Sequence, residues 1–268
     1  MQLAAISWTF GLSDLEELFS KAQSIGYKAI QYCEDFDKYS AEDVLAVADK
    51  FKIQVVGYDP FNCQPSSEKE ATLDNSVTFY KKVIDYAEAL KVPMATIQGL
   101  STWVADHSDY ANGIKQIIAA IKQLSAYAKT KDILLTYEAC NHYEVPFLHT
   151  AEELIYIIEQ AEVDNVKAVL DSFHMNIDEP DPQKALANFP ADLLYSYHVS
   201  DSGRGGIGTG HIDFEEHYNL LKKSGFDGLV CFEIVIPTCR PDKLPMNSEQ
   251  MQEFMRQSKD SLQAWRAL

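Results

Sequence analysis

Ala168-Val169-Leu170-Asp171-Ser172-Phe173-His174-Met175-Asn176-Ile177-Asp178-Glu179 decides how this chain is read. A short apolar run delivers an aspartate, and a histidine follows on the next turn of chain. Runs of that length are buried strands more often than short helices, and the acidic, proline-bearing segment behind this one favours the strand. An acid where such a run ends sits at a strand tip, at the mouth of a sheet or barrel. Three other runs end in the same way. Residues 133–137 deliver Glu138, residues 193–197 deliver His198, and residues 229–232 deliver Glu233.

Working outward, strand-like and helix-like stretches alternate along the chain. Strands are expected at 3–7, 28–32, 53–57, 94–98, 133–137, 166–170, 193–197 and 229–232. Between them apolar residues keep helical spacing, as in Leu15, Leu18, Phe19, Ala22 and Ile25, or Leu73, Val77, Tyr80, Ile84, Ala87 and Leu90. Ser13-Asp14-Leu15-Glu16 and Thr150-Ala151-Glu152-Glu153 read as capping boxes, and Gly26 suits a helix stop. A short helix is expected at 182–188, another at 214–224 and a last one at 248–267, after a proline-rich loop. Eight strand–helix units imply a parallel sheet with helical crossovers. The expectation is an α/β protein: a single (β/α)8 TIM barrel over residues 1–268, with no domain boundary. An open doubly wound sheet fits less well, because the last four strands all end on polar residues that suit a closed ring with one mouth.

Composition narrows the classes. The 268 residues carry a net charge of −17, and 46% of them are hydrophobic. That is ample for a core, and the acidic surface repels nucleic acid and anionic membrane. The five cysteines form no C-x-x-C pair, which points to reduced thiols in a cytoplasmic protein. The N-terminal stretch lacks the basic and apolar regions of a signal peptide, and no apolar run approaches a membrane span.

Glu138, Asp171, His198 and Glu233 are spaced by 33, 27 and 35 residues, each gap about one helix plus one strand. On adjacent barrel strands they project into one cavity. Three carboxylates crowded there repel one another and call for a cation. Three oxygen donors and one imidazole suit one divalent ion, Mn²⁺, Mg²⁺ or Co²⁺ ahead of Zn²⁺.

These segments resemble the sugar-phosphate isomerase/epimerase superfamily, the xylose-isomerase-like barrels, and within it ketose 3-epimerases of the D-tagatose/D-psicose type. Leu170-Asp171-Ser172-Phe173-His174-Met175-Asn176-Ile177 is similar to their metal-aspartate motif. Glu138-Ala139-Cys140-Asn141-His142-Tyr143-Glu144 is similar to their E-x-x-N-x-aromatic-E segment. His198 to Arg204, continuing through Gly208-Thr209-Gly210-His211-Ile212-Asp213-Phe214, resembles their histidine and glycine-loop segment. The resemblance implies Glu138, Asp171, His198 and Glu233 as metal ligands, with Glu138 and Glu233 doubling as the acid/base pair. It implies His174 and Arg204 on substrate oxygens and Glu144 at the carbonyl end. It also implies a sugar substrate and a homo-oligomer, dimer or tetramer. His142 stands where the family often has arginine, and the glycine loop lacks a proline common there, so the substrate contacts differ.

The proposed chemistry is removal of the proton beside a ketone and its return to the other face. Other isomerases or inosose-type dehydratases of the same barrel remain open at this point. An abasic-site endonuclease is disfavoured by charge, and a non-catalytic sugar-binding protein would bind without exchanging protons. Gly203-Arg204-Gly205-Gly206-Ile207-Gly208 matches a dinucleotide fingerprint but follows a late strand; a substrate-covering loop presenting Arg204 is the better reading. Trp8 and Trp103, near the ends of the first and fourth strands, are candidate sugar-stacking residues, with core packing an equal alternative. His107, His149 and His217 read as surface or capping residues, and 178–182 as a solvated loop.

Overall fold

The computed structural model describes residues 1–239 and 245–268. The proline-rich connection expected before the last helix falls partly on residues 240–244, outside the described residues. Each apolar run has become a strand of one parallel sheet: β1 (Gln2–Ile6), β2 (Ala29–Cys33), β3 (Gln54–Asp59), β4 (Met94–Thr96), β5 (Leu134–Glu138), β6 (Val166–Asp171), β7 (Leu194–Val199) and β8 (Leu229–Phe232). They pair in sequence order and close, β1 against β8, into a single (β/α)8 TIM barrel. Closure leaves no sheet edge to protect.

The helices are α1 (Leu15–Ile25), α2 (Ala41–Phe51), α3 (Leu73–Ala89), α4 (Tyr110–Lys129), α5 (Ala151–Ala161), α6 (Ser172–Asp178), α7 (Pro182–Asn188), α8 (Phe214–Ser224) and α9 (Ser248–Ala267). Each of these begins at a Ser, Thr, Asp or Asn whose side chain accepts a backbone N–H of the first turn. A cap of this kind is worth about 1 kcal/mol. The Thr150 capping box forms with Glu153. The first one does not form as expected: Asp14, not Ser13, is the cap and accepts from Glu17 N–H. The helix starts one residue later, and an acidic cap also complements the N-terminal dipole.

The main core lies between sheet and helices, where outward-facing strand residues such as Ile30, Tyr58, Leu135 and Tyr197 meet the helix faces. A smaller cluster of Ala4, Ile6, Ala29, Val56, Leu229 and Cys231 fills the barrel axis. Because strand side chains alternate, Thr136 and Glu138, Val169 and Asp171, Ser196 and His198 all share inner faces. Register sets their relative heights. Asp171 pairs with His198, and His198 pairs with Cys231, two residues before Glu233.

Four local readings change. β3 runs on to Asp59, past the expected end at Gly57. The segment behind Asp171, to which the sequence assigned no element, forms α6. The acidic run at 178–182 is structural rather than merely solvated: Glu179 accepts Ala151 N–H at 2.6 Å, and Asp181 caps α7. His217 is no surface residue. It is 3% exposed, with Tyr197 Oη 2.5 Å from its Nδ1. It shares the inner face of α8 with Phe214 and Leu221. Among the described residues no helix is long and apolar enough to cross a membrane.

Candidate metal centre and active site

The barrel brings Glu138, Asp171, His198 and Glu233 together, all buried, with one donor atom from each within 4.8 Å of the others. His198 Nδ1 lies 3.0 Å from Glu233 Oε2 and 3.6 Å from Glu138 Oε2. Asp171 does two jobs because it ends β6 and opens α6. Its Oδ1 accepts from the N–H groups of Phe173 (2.6 Å) and His174 (3.2 Å). Its Oδ2 is buried and has no partner. A buried carboxylate oxygen left unbonded is costly, and here it belongs to a cluster of two further carboxylates and an imidazole.

Burial, reinforced by the charges of Glu233 and Glu138, pushes the Asp171 carboxyl well above its ordinary range. Burial works against Glu233 as well. There the hydrogen bond from His198 and the nearby Arg204 guanidinium outweigh it and hold the group down at about 2. His198 is likewise disfavoured as a cation by burial, yet Glu138 and Glu233 raise it well above a free imidazole. One group driven up and a neighbour driven down is the signature of negative charge without enough positive charge. A divalent cation would supply it, and the O₃N donor set with an unpartnered aspartate oxygen fits one. Glu138, Cys140 and His174 also fall within 4.8 Å of one another. That grouping fits less well, because burial and the neighbouring glutamates keep the Cys140 thiol protonated.

Around the cluster stands a cavity of about 230 Å³ lined by Trp8, Glu144, His174 and Arg204 as well as by Glu138, His198 and Glu233. Arg204 has φ 66°, a left-handed conformation that a non-glycine residue adopts only under constraint. Its N–H donates to Asp201 O and its carbonyl accepts from Val235 N–H, which fixes the turn. The guanidinium then reaches Glu144 Oε1 at 2.8 Å and Glu233 Oε1 at 3.2 Å, between the rings of Trp8 and Phe173. Trp8 Nε1 donates to the same Glu233 oxygen at 3.1 Å. Thus Glu233 Oε1 takes the bonds of Trp8 and Arg204 while Oε2 faces the cluster. His174 Nε2 stands 3.7 Å from Glu138 Oε1, and its Nδ1 meets Asn141.

Trp103 is not among the residues lining this cavity. It is 6% exposed, packs on Phe79 and donates to Cys63 O at 2.6 Å. An aromatic residue near a strand end goes to the core or to the mouth, and apolar neighbours settle this one for the core. His142 also faces away, its Nδ1 2.5 Å from Asp178 Oδ1. The glycine loop is held by Asp201, whose two oxygens accept from Ser202, Gly208, Gly210 and Ile212 N–H at 2.8–3.1 Å. That aspartate, Asn141 beside His174, and the cavity-lining Asp59 and Gln98 were not singled out in the sequence. Asp59 ends β3 as Glu138 ends β5 and Asp171 ends β6, so the same rule applied one residue pair further on would have found it.

A family model described as xylose isomerase-like TIM barrel matches residues 19–258. The chain belongs to that family. Within it, the D-psicose 3-epimerase of Enterocloster bolteae is 24% identical over 232 residues, 82% of this chain and 77% of that protein. The ketose 3-epimerase of Arthrobacter globiformis is 32% identical over 123 residues, 46% of this chain and 42% of that protein. The match therefore spans less than half the length of the latter. A solved structure of a D-psicose 3-epimerase with D-tagatose from Clostridium cellulolyticum H10 superposes with a TM-score of 0.83 over 100% of this chain and 99% of that one, at 20% identity, which establishes the shared family fold.

Proposed function

We propose that this protein is a divalent-metal-dependent isomerase that epimerises a free ketose at C3. The observation that carries the proposal is that Glu138 and Glu233, from strands three apart in the ring, converge on one buried cluster with Asp171 and His198. Epimerisation needs a proton taken from one face and returned to the other, hence two carboxyl groups on opposite sides of one carbon. A divalent ion held by the four side chains, Mn²⁺ first among candidates, would polarise the ketone and its neighbouring hydroxyl and so acidify the proton between them.

The chain's own residues supply the rest. Glu233, ionised at neutral pH, is oriented by the bonds from Trp8 and Arg204, so that one carboxylate oxygen is committed and the other faces the reaction. Glu138 takes the complementary role, with His174 beside its Oε1. His174 and Arg204 hold substrate oxygens, and Glu144, anchored by Asn141 and Arg204, addresses the carbonyl end. The similarity to proteins named ketose and D-psicose 3-epimerases supports C3 as the reacting carbon.

The test is product analysis. Protein loaded with Mn²⁺ is incubated separately with D-fructose, D-tagatose and L-ribulose. The expected product is the C3 epimer of at least one, lost on adding a chelator and regained with metal. An aldose product would make the protein an aldose–ketose isomerase. Loss of water from an inosose, with no epimer from any ketose, would make it a dehydratase.

A further inference from the structure

The wall opposite the four-residue cluster holds polar side chains that the proposed reaction leaves without a role. Gln31 on β2, Asp59 at the end of β3 and Gln98 just past β4 all line the cavity. Asp59 bonds no backbone group. Its Oδ1 accepts from Thr96 Oγ1, and its Oδ2 accepts from Gln98 Nε2 at 3.1 Å and weakly from the Cys33 thiol at 4.0 Å. Asp201, by contrast, is a structural aspartate that ties four backbone N–H groups. Each carboxylate oxygen accepts two hydrogen bonds, so Asp59 Oδ1 keeps an open position, while the second position of Oδ2 is taken only by the weak thiol contact. Gln98 Oε1 is buried and has no partner at all. The wall therefore offers open acceptors beside the amide N–H groups of Gln31 and Gln98, one of which goes to Asp59. What fits it is a ligand that brings O–H groups.

Charge narrows the ligand further. Among the described residues the cavity lining carries four carboxylates, Asp59, Glu138, Glu144 and Glu233, against one guanidinium, Arg204, already paired with two of them. No lysine lines it. A phosphate dianion has no hydrogen to donate, and its charge would meet a lining with more carboxylates than cations. Burial pushes the Asp59 carboxyl up to about 7, with Glu138 and Glu233 adding to the push and Thr96 and Gln98 pulling against it. Retaining an acid in such a wall with no cation beside it is unfavourable unless a ligand uses it. The cavity of about 230 Å³ lies below the ~300–1,000 Å³ of sites for drug-sized ligands, which suits a single monosaccharide.

We infer that Asp59 and Gln98 form a hydroxyl-reading subsite on the β3–β4 wall, which receives the end of an unphosphorylated polyhydroxy ketone remote from the reacting carbon. This rests on the epimerase reading of the opposite wall and assigns the specificity of that site.

The test compares dissociation constants, followed by quenching of tryptophan fluorescence from Trp8 in the same cavity. The ligands are the ketohexose that binds best, its 4-, 5- and 6-deoxy analogues and its 6-phosphate, each with Mn²⁺-loaded wild type, Asp59→Asn and Asp59→Ala. For wild type, at least one deoxy analogue should bind about 10- to 100-fold more weakly than its parent, and the phosphate more weakly still. In Asp59→Ala the gap between parent and deoxy analogue should close, because the parent alone loses affinity; Asp59→Asn should lie between. A ratio within one variant is insensitive to general damage to the fold. Equal weakening of parent and analogues in Asp59→Ala would overturn the inference. So would wild type that ignores every hydroxyl deletion, binds the phosphate best, or binds none of the sugars. Deuterium exchange on the same samples separates the two readings. Discrimination that depends on Asp59 without exchange at C3 removes the epimerase and leaves the subsite, and exchange without such discrimination does the reverse.

Discussion

Replacing Asp171 by asparagine should abolish the response of the fold to divalent cations while leaving the fold itself intact. Asparagine caps a helix as well as aspartate does, so the bonds to Phe173 and His174 N–H survive. What changes is the second oxygen, now buried and unpartnered, which becomes either an amide N–H or an uncharged carbonyl. The donor atoms of the cluster lie within 4.8 Å of one another. At an effective dielectric of about 20, two unit negative charges at that spacing repel by about 3–4 kcal/mol. In the metal-free wild type burial and the charges of Glu233 and Glu138 favour the protonated form of Asp171, which relieves part of this repulsion. The chelated variant should therefore melt at or slightly above the chelated wild type. A cation at a hundred times its Kd stabilises the wild type by about 2.7 kcal/mol, and a chain of this size shifts by about 2–4 °C per kcal/mol, so Mn²⁺ should raise Tm by about 5–10 °C. The variant should move by no more than a degree or two under the same conditions. Differential scanning calorimetry with and without chelator measures all four states. Asp171→Asn with the full wild-type shift would refute the assignment of that oxygen to a cation.

Asp201→Ala should cost about 3–4 kcal/mol in urea unfolding, because four backbone donors of the glycine loop lose their shared acceptor. It should also raise KM by displacing Arg204, whereas an unchanged KM would separate the loop from the site. His217 should make the protein acid-sensitive. Burial lowers its pKa to about 4 in the fold against about 6.5 in the unfolded chain, so stability complete above pH 6.5 is lost as pH falls toward 4, by about 2–3 kcal/mol between pH 7.5 and 4.5. Unfolding curves at those two pH values should show this loss in wild type and a smaller one in His217→Gln. Gly113→Ala is a control in the core: its Cβ would lie 2.5 Å from the Phe147 ring, so stability should fall by about 1–3 kcal/mol while kcat per folded molecule holds.

The barrel was legible because its strands are short apolar runs separated by amphipathic helices, and both periods are visible in single residues such as Leu15, Leu18 and Ala22. The cluster was legible because a strand tip is a fixed place: Glu138, Asp171, His198 and Glu233 each follow an apolar run at barrel spacing. Asp59 was missed at the same kind of tip because β3 continues through Tyr58, an aromatic that the outer face buries. Helix α6 could not be seen in Ser172–Asp178, a seven-residue stretch poor in strong helix formers. It exists because Asp171 caps it and the barrel packs its first turn. The role of Asp201 depends on how a glycine-rich loop folds back over eleven residues, which no periodicity encodes. His217 was legible in principle, three residues after Phe214 and four before Leu221, but a titratable side chain at a core position is a poor match to hydrophobic patterning. Trp103 shows the converse, an aromatic whose place in the core only its neighbours reveal.

The most direct test of the two-carboxylate reaction is proton exchange at the reacting carbon. Wild type with Mn²⁺ in D₂O, incubated with the ketose it turns over and followed by NMR, should place one deuterium at C3 of both epimers and none at C1. Glu138→Gln should slow that exchange by about 10²–10⁴-fold. Epimer formed with its original C3 proton retained, or label confined to C1, would contradict the assignment of Glu138 and Glu233 as the pair that moves the proton.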